Sequence, residues 1–106
     1  MKFDLQSMMQ QVQSMQEEME RKKRELNSRT VTAESGGGMV SVTVTCNYRI
    51  KKLSISKELS NPDDIEMLQD LVVAAINKAM SDAERIVEEE MGSLSGMLPN
   101  IPGLNL

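Results

Sequence analysis

Basic side chains offer the clearest chemistry in this chain, and they are concentrated in its middle. Residues 21–57 contain nine Lys or Arg and two acidic residues, whereas residues 1–20 carry a net charge of −3 and residues 58–106 a net charge of −8. The formal charge of all 106 residues is therefore only −4. A concentrated basic region attracts phosphate even on an acidic protein, because its field extends over a Debye length of about 8–10 Å. The alternative is that the basic middle pairs with the acidic C-terminal part.

The candidate phosphate contacts form two groups. We expect the main contacts to be Arg21, Lys22, Lys23, Arg24 and Arg29, and the secondary contacts to be Arg49, Lys51 and Lys52. Four consecutive basic residues span a full helical turn, so at least one of them must lie against the packed side of its helix. The competing interpretation is structural: these cations favour the negative end of the helix dipole and lie three or four residues from Glu17, Glu18 and Glu20.

The sequence does not assemble any catalytic site. It contains no His, and its single cysteine, Cys46, has no identifiable base. The carboxylates of Glu88–Glu90 splay around a helix, and no Lys-Ser or Lys-Thr follows Gly36–Gly38 to complete a nucleotide loop. We therefore predict that the protein is not an enzyme, and that it binds no metal, no cofactor and no small-molecule substrate.

A long helix is predicted before the basic residues, from Asp4 as N-cap to Asn27. Its apolar residues recur at alternating spacings of three and four residues, and Lys22 occupies one position of this series. They are Leu5, Met8, Val12, Met15, Met19 and Leu26. A seam this narrow favours packing against one other helix.

A three-stranded sheet is predicted between Arg29 and Leu59. The best-defined strand alternates Val40, Val42 and Val44 with Ser41, Thr43 and Thr45. A first strand over Arg29–Ala33 joins it through a hairpin turn at Glu34–Gly38, and a third strand over Ile50–Ile55 follows a turn near Cys46–Tyr48. In the third strand, strict alternation places Arg49, Lys51, Leu53 and Ile55 on one face.

A second helix is predicted after the cap and proline of Ser60–Asp64. Its apolar stripe should pack on the sheet around Leu71–Ile76, and its acidic end at Glu88–Glu90 should fray or rest near the basic end of the first helix. Gly92 predicts the helix end, so residues 1–91 form one domain and residues 92–106 a flexible tail whose apolar residues suit docking into a groove. With neither a secretory signal nor a membrane-length apolar run, we expect a cytoplasmic protein with no membrane contact.

The residues also carry a family resemblance. The run GGGMVSVTVT…IKKLSISKEL lies between a Met- and Gln-rich helix and a Pro-Asp-Asp helix start, and this arrangement resembles the YbaB/EbfC family of nucleoid-associated proteins. Its most specific parts are Gly38-Met39-Val40, Ile50–Ile55 and Glu58-Leu59, although many members carry a glycine where this chain has Cys46-Asn47. The resemblance implies an α+β protomer of the order α-β-β-β-α, with a small antiparallel sheet flanked by two long helices. It also implies a homodimer joined through the sheets that binds duplex DNA in the bacterial nucleoid with little sequence preference.

Two classes of function remain open at this stage. In the first, the protein grips the phosphate backbone, since the chain offers neither a recognition-helix motif nor an aromatic stacking platform for reading bases. In the second, it is a coiled-coil protein-interaction or chaperone-like module without DNA binding, whose ten methionines suit adaptable partners. An acidic member that keeps the family fold but binds DNA weakly is a third possibility. Salt dependence separates these classes, because phosphate binding weakens steeply with salt.

Overall fold

Two long helices flank an antiparallel sheet in the computed structural model, which describes residues 4–95 and the side chains as far as residue 92. The elements are α1 (Leu5–Ser28), β1 (Thr30–Ser35), β2 (Val40–Thr45), β3 (Ile50–Ile55) and α2 (Ile65–Ser95), with the strands in the order β1-β2-β3. The predicted α+β protomer of order α-β-β-β-α is confirmed.

The packing seam of α1 is buried at one end and open at the other. The helix begins at its predicted cap, where the Asp4 carboxylate accepts a hydrogen bond from the Gln6 amide at 3.1 Å. Leu26 is buried near the C-terminal end and Met19 is half-buried, but Val12 remains 53% exposed. The seam therefore packs against α2 only along its C-terminal half.

One face of the sheet carries apolar side chains and the other carries hydroxyl groups, as the alternation predicts. Val40, Val42 and Val44 are completely buried. On the opposite face, the Thr32 and Thr43 hydroxyls share a hydrogen bond of 2.8 Å across the β1–β2 ladder. The β1–β2 turn uses three consecutive glycines with positive φ, which supply a left-handed run that L side chains rarely adopt.

A bulge in β3 makes one prediction wrong. Val44 pairs with Ile50 and Thr43 pairs with Lys52, so Lys51 is an extra residue without a partner in the ladder. Because cross-strand partners share a face, Ile50 rather than Arg49 or Lys51 joins Leu53 and Ile55 on the side of the buried valines.

The core lies between the valines of β2 and one face of α2. Ala75, Ala79 and Ala83, spaced four residues apart, are completely buried, and their small side chains allow the helix axis to approach the sheet closely. Leu68, Leu71, Val72 and Ile76 flank this stripe in half-buried positions, as the predicted packing region requires. α2 packs mainly on β1 and β2, so β3 extends beyond it.

The start of α2 follows the prediction, but its end does not. A single 3₁₀ turn over Pro62–Asp64 precedes the helix, and its cap, Asn61, accepts a hydrogen bond from the Asp63 amide at 3.1 Å. The helix then continues through Gly92 to Ser95. A helix-interior glycine costs only about 1 kcal/mol relative to alanine, which flanking helical residues offset. The predicted tail beyond Ser95 lies outside the described residues.

Candidate nucleic-acid interface

The backbone brings both predicted basic groups to one end of the sheet. α1 delivers residues 21–24 to the start of β1, and the Arg29 carbonyl there accepts a hydrogen bond from the Cys46 amide at the end of β2. The Thr45 amide, beside Cys46, donates to the Arg49 carbonyl at 2.8 Å, which places the start of β3 at the same end. We call this the basic end.

Two of the predicted cations are engaged by a carboxylate of α2. The Lys22 ammonium donates to Glu90 Oε2 at 2.7 Å, and the Arg29 guanidinium donates to Glu90 Oε1 at 3.3 Å. This confirms that the acidic end of α2 lies near the C-terminal, basic part of α1. Lys22 is the cation that lies on the packed side of α1. The Glu90 carboxylate thus neutralises part of the positive charge of residues 21–57.

Arg21 is also paired, and its partners within the described part of the chain both lie on its own helix. Its guanidinium contacts the Glu18 carboxylate one turn earlier and lies 3.7 Å from the Glu25 carboxylate one turn later. Exposed pairs at these spacings contribute little to stability and are screened by salt. They compete only weakly with a phosphate for Arg21.

The remaining predicted cations are exposed and form no ion pair with any residue of the described part, 4–95. They are Lys23, Arg24, Arg49, Lys51 and Lys52. The structure therefore divides the eight predicted residues into three that already have carboxylate partners and five that present their charge to solvent.

Charge and burial perturb the titration of several groups at this end. The hydrogen bond from Lys22 lowers the pKa of the Glu90 carboxyl, and the same bond raises the pKa of Lys22. Hydrogen bonding to Glu18 likewise raises the pKa of Arg21. Burial raises the pKa of the Cys46 thiol.

The turn between β2 and β3 contains a feature that sequence patterns missed. Tyr48 has φ 66°, the only positive φ of a non-glycine residue within the described range. Its amide closes the turn by donating to the Thr45 carbonyl at 2.9 Å. Burial, followed by the charge of Glu84, raises the pKa of the phenol. Through the contacts of Glu90 with Lys22 and Arg29, the acidic second half of α2 borders the basic end.

Two further features, a metal site and a membrane-spanning helix, are not found among the described residues. No three His, Cys, Asp or Glu side chains among residues 4–95 are arranged to hold a metal ion. None of the helices described is long and apolar enough to cross a bilayer.

Comparison with known families assigns the chain to one of them. The model of the YbaB/EbfC DNA-binding family matches residues 1–98. This chain belongs to the YbaB/EbfC family. The predicted resemblance is thereby confirmed over nearly the whole sequence.

The names of proteins similar to this chain agree with its assignment to the YbaB/EbfC family. A nucleoid-associated protein of Acetivibrio thermocellus is 44% identical over 95% of this chain and 89% of its own length. One of Pelotomaculum thermopropionicum is 44% identical over 95% of each chain. Among solved structures, an uncharacterized protein from Helicobacter pylori, HP0035, matches with a TM-score of 0.76 at 22% identity, covering 88% of this chain and 98% of the other. That structural likeness establishes a shared fold.

Proposed function

We propose that the protein is a nucleoid-associated DNA-binding protein that grips duplex DNA by its backbone phosphates, with little preference for sequence. The observation that supports this is the group of exposed cations at the basic end that form no ion pair with residues 4–95, in a chain belonging to a DNA-binding family. Lys and Arg without carboxylate partners gain most from phosphate, because they release counterions without breaking an existing ion pair.

Within this proposal, the cations have different roles. Lys23, Arg24, Arg49, Lys51 and Lys52 make the phosphate contacts, whereas Lys22 and Arg29 chiefly hold α1 to α2 through Glu90. Base reading is absent from the mechanism, because phosphate contacts carry no sequence information by themselves. The names of the relatives support a place in the nucleoid, within the bacterial cytoplasm.

Charge reversal tests the phosphate contacts. The double variant Lys23→Glu, Arg24→Glu should lose affinity about equally for two duplexes of unrelated sequence. The log–log salt slope should become shallower by about 1.8 for each protomer that contacts DNA, if each cation neutralises one phosphate. Fluorescence anisotropy across a salt series measures both quantities. Lys22 is unsuitable for this test because its reversal would also break the contact with Glu90.

A matched control makes the same charge change elsewhere. Lys57 and Lys78 are exposed and form no ion pair with described residues, and Lys57 lies at the opposite end of β3. The variant Lys57→Glu, Lys78→Glu should therefore bind both duplexes nearly as the parent does. Equal losses in the two double variants, or undiminished binding by a folded Lys23→Glu, Arg24→Glu protein, would contradict the assignment.

We also propose that the functional unit is a homodimer joined along β3. No strand within residues 4–95 pairs with the outer edge of β3, and Ile50, Leu53 and Ile55 are 52%, 46% and 43% exposed on its helix-side face. An edge strand with uncovered apolar residues favours strand addition, and a second copy related by two-fold symmetry would bury the same patch on both protomers.

Leu53→Glu tests the dimer, with Ser54→Glu as its control on the opposite face. Placing a carboxylate among the apolar residues of β3 should give a monomer in sedimentation equilibrium, because the charge would lose its hydration in the interface. Ser54→Glu adds the same charge outside that face and should leave the mass unchanged. A parent protein that sediments as a monomer would rule out the homodimer.

A further inference from the structure

The N-terminal half of α1 presents an apolar strip to solvent. Leu5, Met8, Met9 and Val12 are 67%, 40%, 60% and 53% exposed, and they line a shallow groove of about 330 Å³ together with Gln13. We call these four residues the apolar strip. Contiguous exposed apolar residues of this kind mark a contact surface more often than isolated ones do.

The apolar strip continues a seam whose C-terminal part packs against α2. Leu26 is buried in that part, and the Lys22 ammonium, one turn earlier, donates to Glu90 of α2 at 2.7 Å. Met15, closer to the strip, is half-buried. The same alternation of three and four residues continues to Leu5, so the strip has the side-chain spacing for packing against a further helix.

The surroundings of the strip carry no charge. From Leu5 to Gln16, α1 contains no acidic or basic residue, although charged residues make up 26% of the whole chain. Helices that select a different partner commonly do so through charges at the two positions beside the seam. Here those positions hold Met9, Gln11 and Gln16. A neutral surface does not repel its own copy, so the strip favours a second copy of this chain over a charged partner.

The spacing of the seam also suits a second copy. Leu5, Met8, Val12 and Met15 are separated by three, four and three residues, so the series is symmetric about its centre. In an antiparallel pair related by a two-fold axis at that centre, Met8 of each helix faces Val12 of the other, and Leu5 faces Met15. Every facing pair is apolar, and no carboxylate lies within the paired stretch.

We propose that the apolar strip joins neighbouring copies on DNA through an antiparallel contact between their α1 helices. The contact links one dimer to the next and is distinct from the interface along β3. It involves only a few side chains of each copy, whereas stable interfaces contain about 20–30 residues on each side. Copies bound side by side on one duplex have a high effective concentration, which allows so small a contact to form. The inference therefore rests on the proposed function, because DNA supplies that concentration.

Disulfide trapping tests the antiparallel contact in a Cys46→Ala background, which removes the native thiol. Met8→Cys and Val12→Cys proteins are mixed on a duplex of about 100 base pairs, which is about 340 Å long at 3.4 Å per base pair. The control mixture is Gln6→Cys with Ser14→Cys, which obey the same symmetry but lie on the opposite side of α1 at 100° per residue. The disulfide between Met8→Cys and Val12→Cys, identified by peptide mass spectrometry, should form at least about tenfold faster than the control disulfide, because the contact concentrates the two thiols.

Three outcomes overturn the inference while the protein still binds the duplex. Equal rates for the two mixtures would mean that the copies meet without a preferred face. The absence of intermolecular disulfides would mean that the strip is covered in another way. Faster linkage of Met8→Cys with itself than with Val12→Cys would mean that the helices are parallel. A protein that does not bind the duplex at all would contradict the proposed function, and this inference with it.

Cooperativity in DNA binding gives a second measurement without cysteines. The variant Met8→Gln, Val12→Gln keeps a good helix former at both positions but removes the apolar contact. Its Hill coefficient on the long duplex should fall from above 1 in the parent to about 1. Its affinity for a duplex of about 20 base pairs, about 68 Å long, should equal that of the parent, because a neighbour is absent there.

A matched variant controls for the added glutamines. Ser7→Gln, Ser14→Gln makes two exposed changes on the other side of α1 and should keep the cooperativity of the parent. Non-cooperative binding by the parent, or equal losses of cooperativity in the two variants, would contradict the contact.

Discussion

Glu90 accepts hydrogen bonds from two cations that belong to different parts of the chain, Lys22 within α1 and Arg29 between α1 and β1. One carboxylate therefore serves two purposes. It ties α2 to α1, and it withholds two positive charges from the basic end. Under the proposed function, a DNA phosphate would compete with Glu90 for the same donors, because both present oxygens that suit charge-assisted hydrogen bonds.

Replacing Glu90 by Gln should strengthen DNA binding. The neutral amide holds Lys22 and Arg29 less firmly, so each cation becomes available to a phosphate. For each new contact, the dissociation constant at 0.1 M salt should fall about fivefold to tenfold and the log–log salt slope should steepen by about 0.9. Anisotropy titrations measure both changes.

Glu89→Gln is the matched control for Glu90→Gln. Glu89 is the exposed neighbouring residue, and its side chain forms no ion pair with residues of the described part. Its neutralisation changes the net charge equally but releases no cation. If the two variants gained equal affinity, net charge rather than the Glu90 contacts would explain the effect.

The lowered pKa of Glu90 predicts an acid-sensitive contribution to stability. A carboxyl whose pKa is lower in the folded than in the unfolded state stabilises the fold at pH values above its ordinary pKa of 4.5. That contribution is lost as the pH falls through the lowered folded value. Urea unfolding across this range should therefore show the parent converging in stability with Glu90→Gln in acid, while the parent is more stable near neutral pH.

At the scale of elements, the sequence predicted regular segments well and local irregularities poorly. Both helices, all three strands and the capping residue Asp4 follow from periodicity and cap chemistry. The bulge at Lys51 was missed because strict alternation was assumed, although the spacing of Ile50, Leu53 and Ile55 departs from a period of two. The positive φ of Tyr48 has no comparable signal in residue type.

The candidate site was predictable in composition but not in pairing. The basic run and its nearness to the acidic end of α2 followed from charge segregation. Which cation meets which carboxylate depends on the axial register of α1 against α2, set by packing around Leu26 and the buried alanines. No local pattern in the sequence encodes that register.

Glycine substitutions test the turn between β1 and β2. Gly37 has φ +66° and nothing within 4 Å of an added Cβ, so Gly37→Ala should cost about 1 kcal/mol from backbone strain alone. Gly36 has φ +60°, and its added Cβ would lie 3.0 Å from a methyl of Leu71. Gly36→Ala should therefore destabilise the protein more, as measured by urea unfolding.

Gly92 offers a control of opposite sign. It lies within α2 and has open space around an added Cβ. Gly92→Ala should raise the free energy of unfolding by up to about 1 kcal/mol, because alanine is the better helix former. A larger loss for Gly37→Ala than for Gly36→Ala would contradict the steric role assigned to Leu71.

At the scale of the whole molecule, the cations of one protomer form a small set on an acidic chain. The five exposed cations of the candidate site lie at the basic end, while the net charge of the chain is −4. A homodimer joined along β3 would double this set without changing its composition. Affinity for a long polyanion then depends on assembly, because both basic ends contribute to a single binding event.

The monomeric variant should therefore bind DNA with a weaker salt dependence. If both protomers contact phosphate, Leu53→Glu should have about half the log–log salt slope of the parent, since the slope is proportional to the number of phosphates neutralised. Ser54→Glu introduces the same charge nearby and should retain the full slope. A Leu53→Glu monomer with the slope of the parent would mean that one protomer makes all the contacts.

The bulge in β3 also affects how this sequence tolerates changes in length. Lys51 has no partner in the ladder, so its deletion would leave Ile50 opposite Val44 and Lys52 opposite Thr43 as before. Deleting a paired residue such as Ser54 would instead move every β3 side chain on one side of the deletion to the opposite face of the sheet. Related sequences should therefore gain or lose one residue at Lys51 more readily than anywhere else in β3.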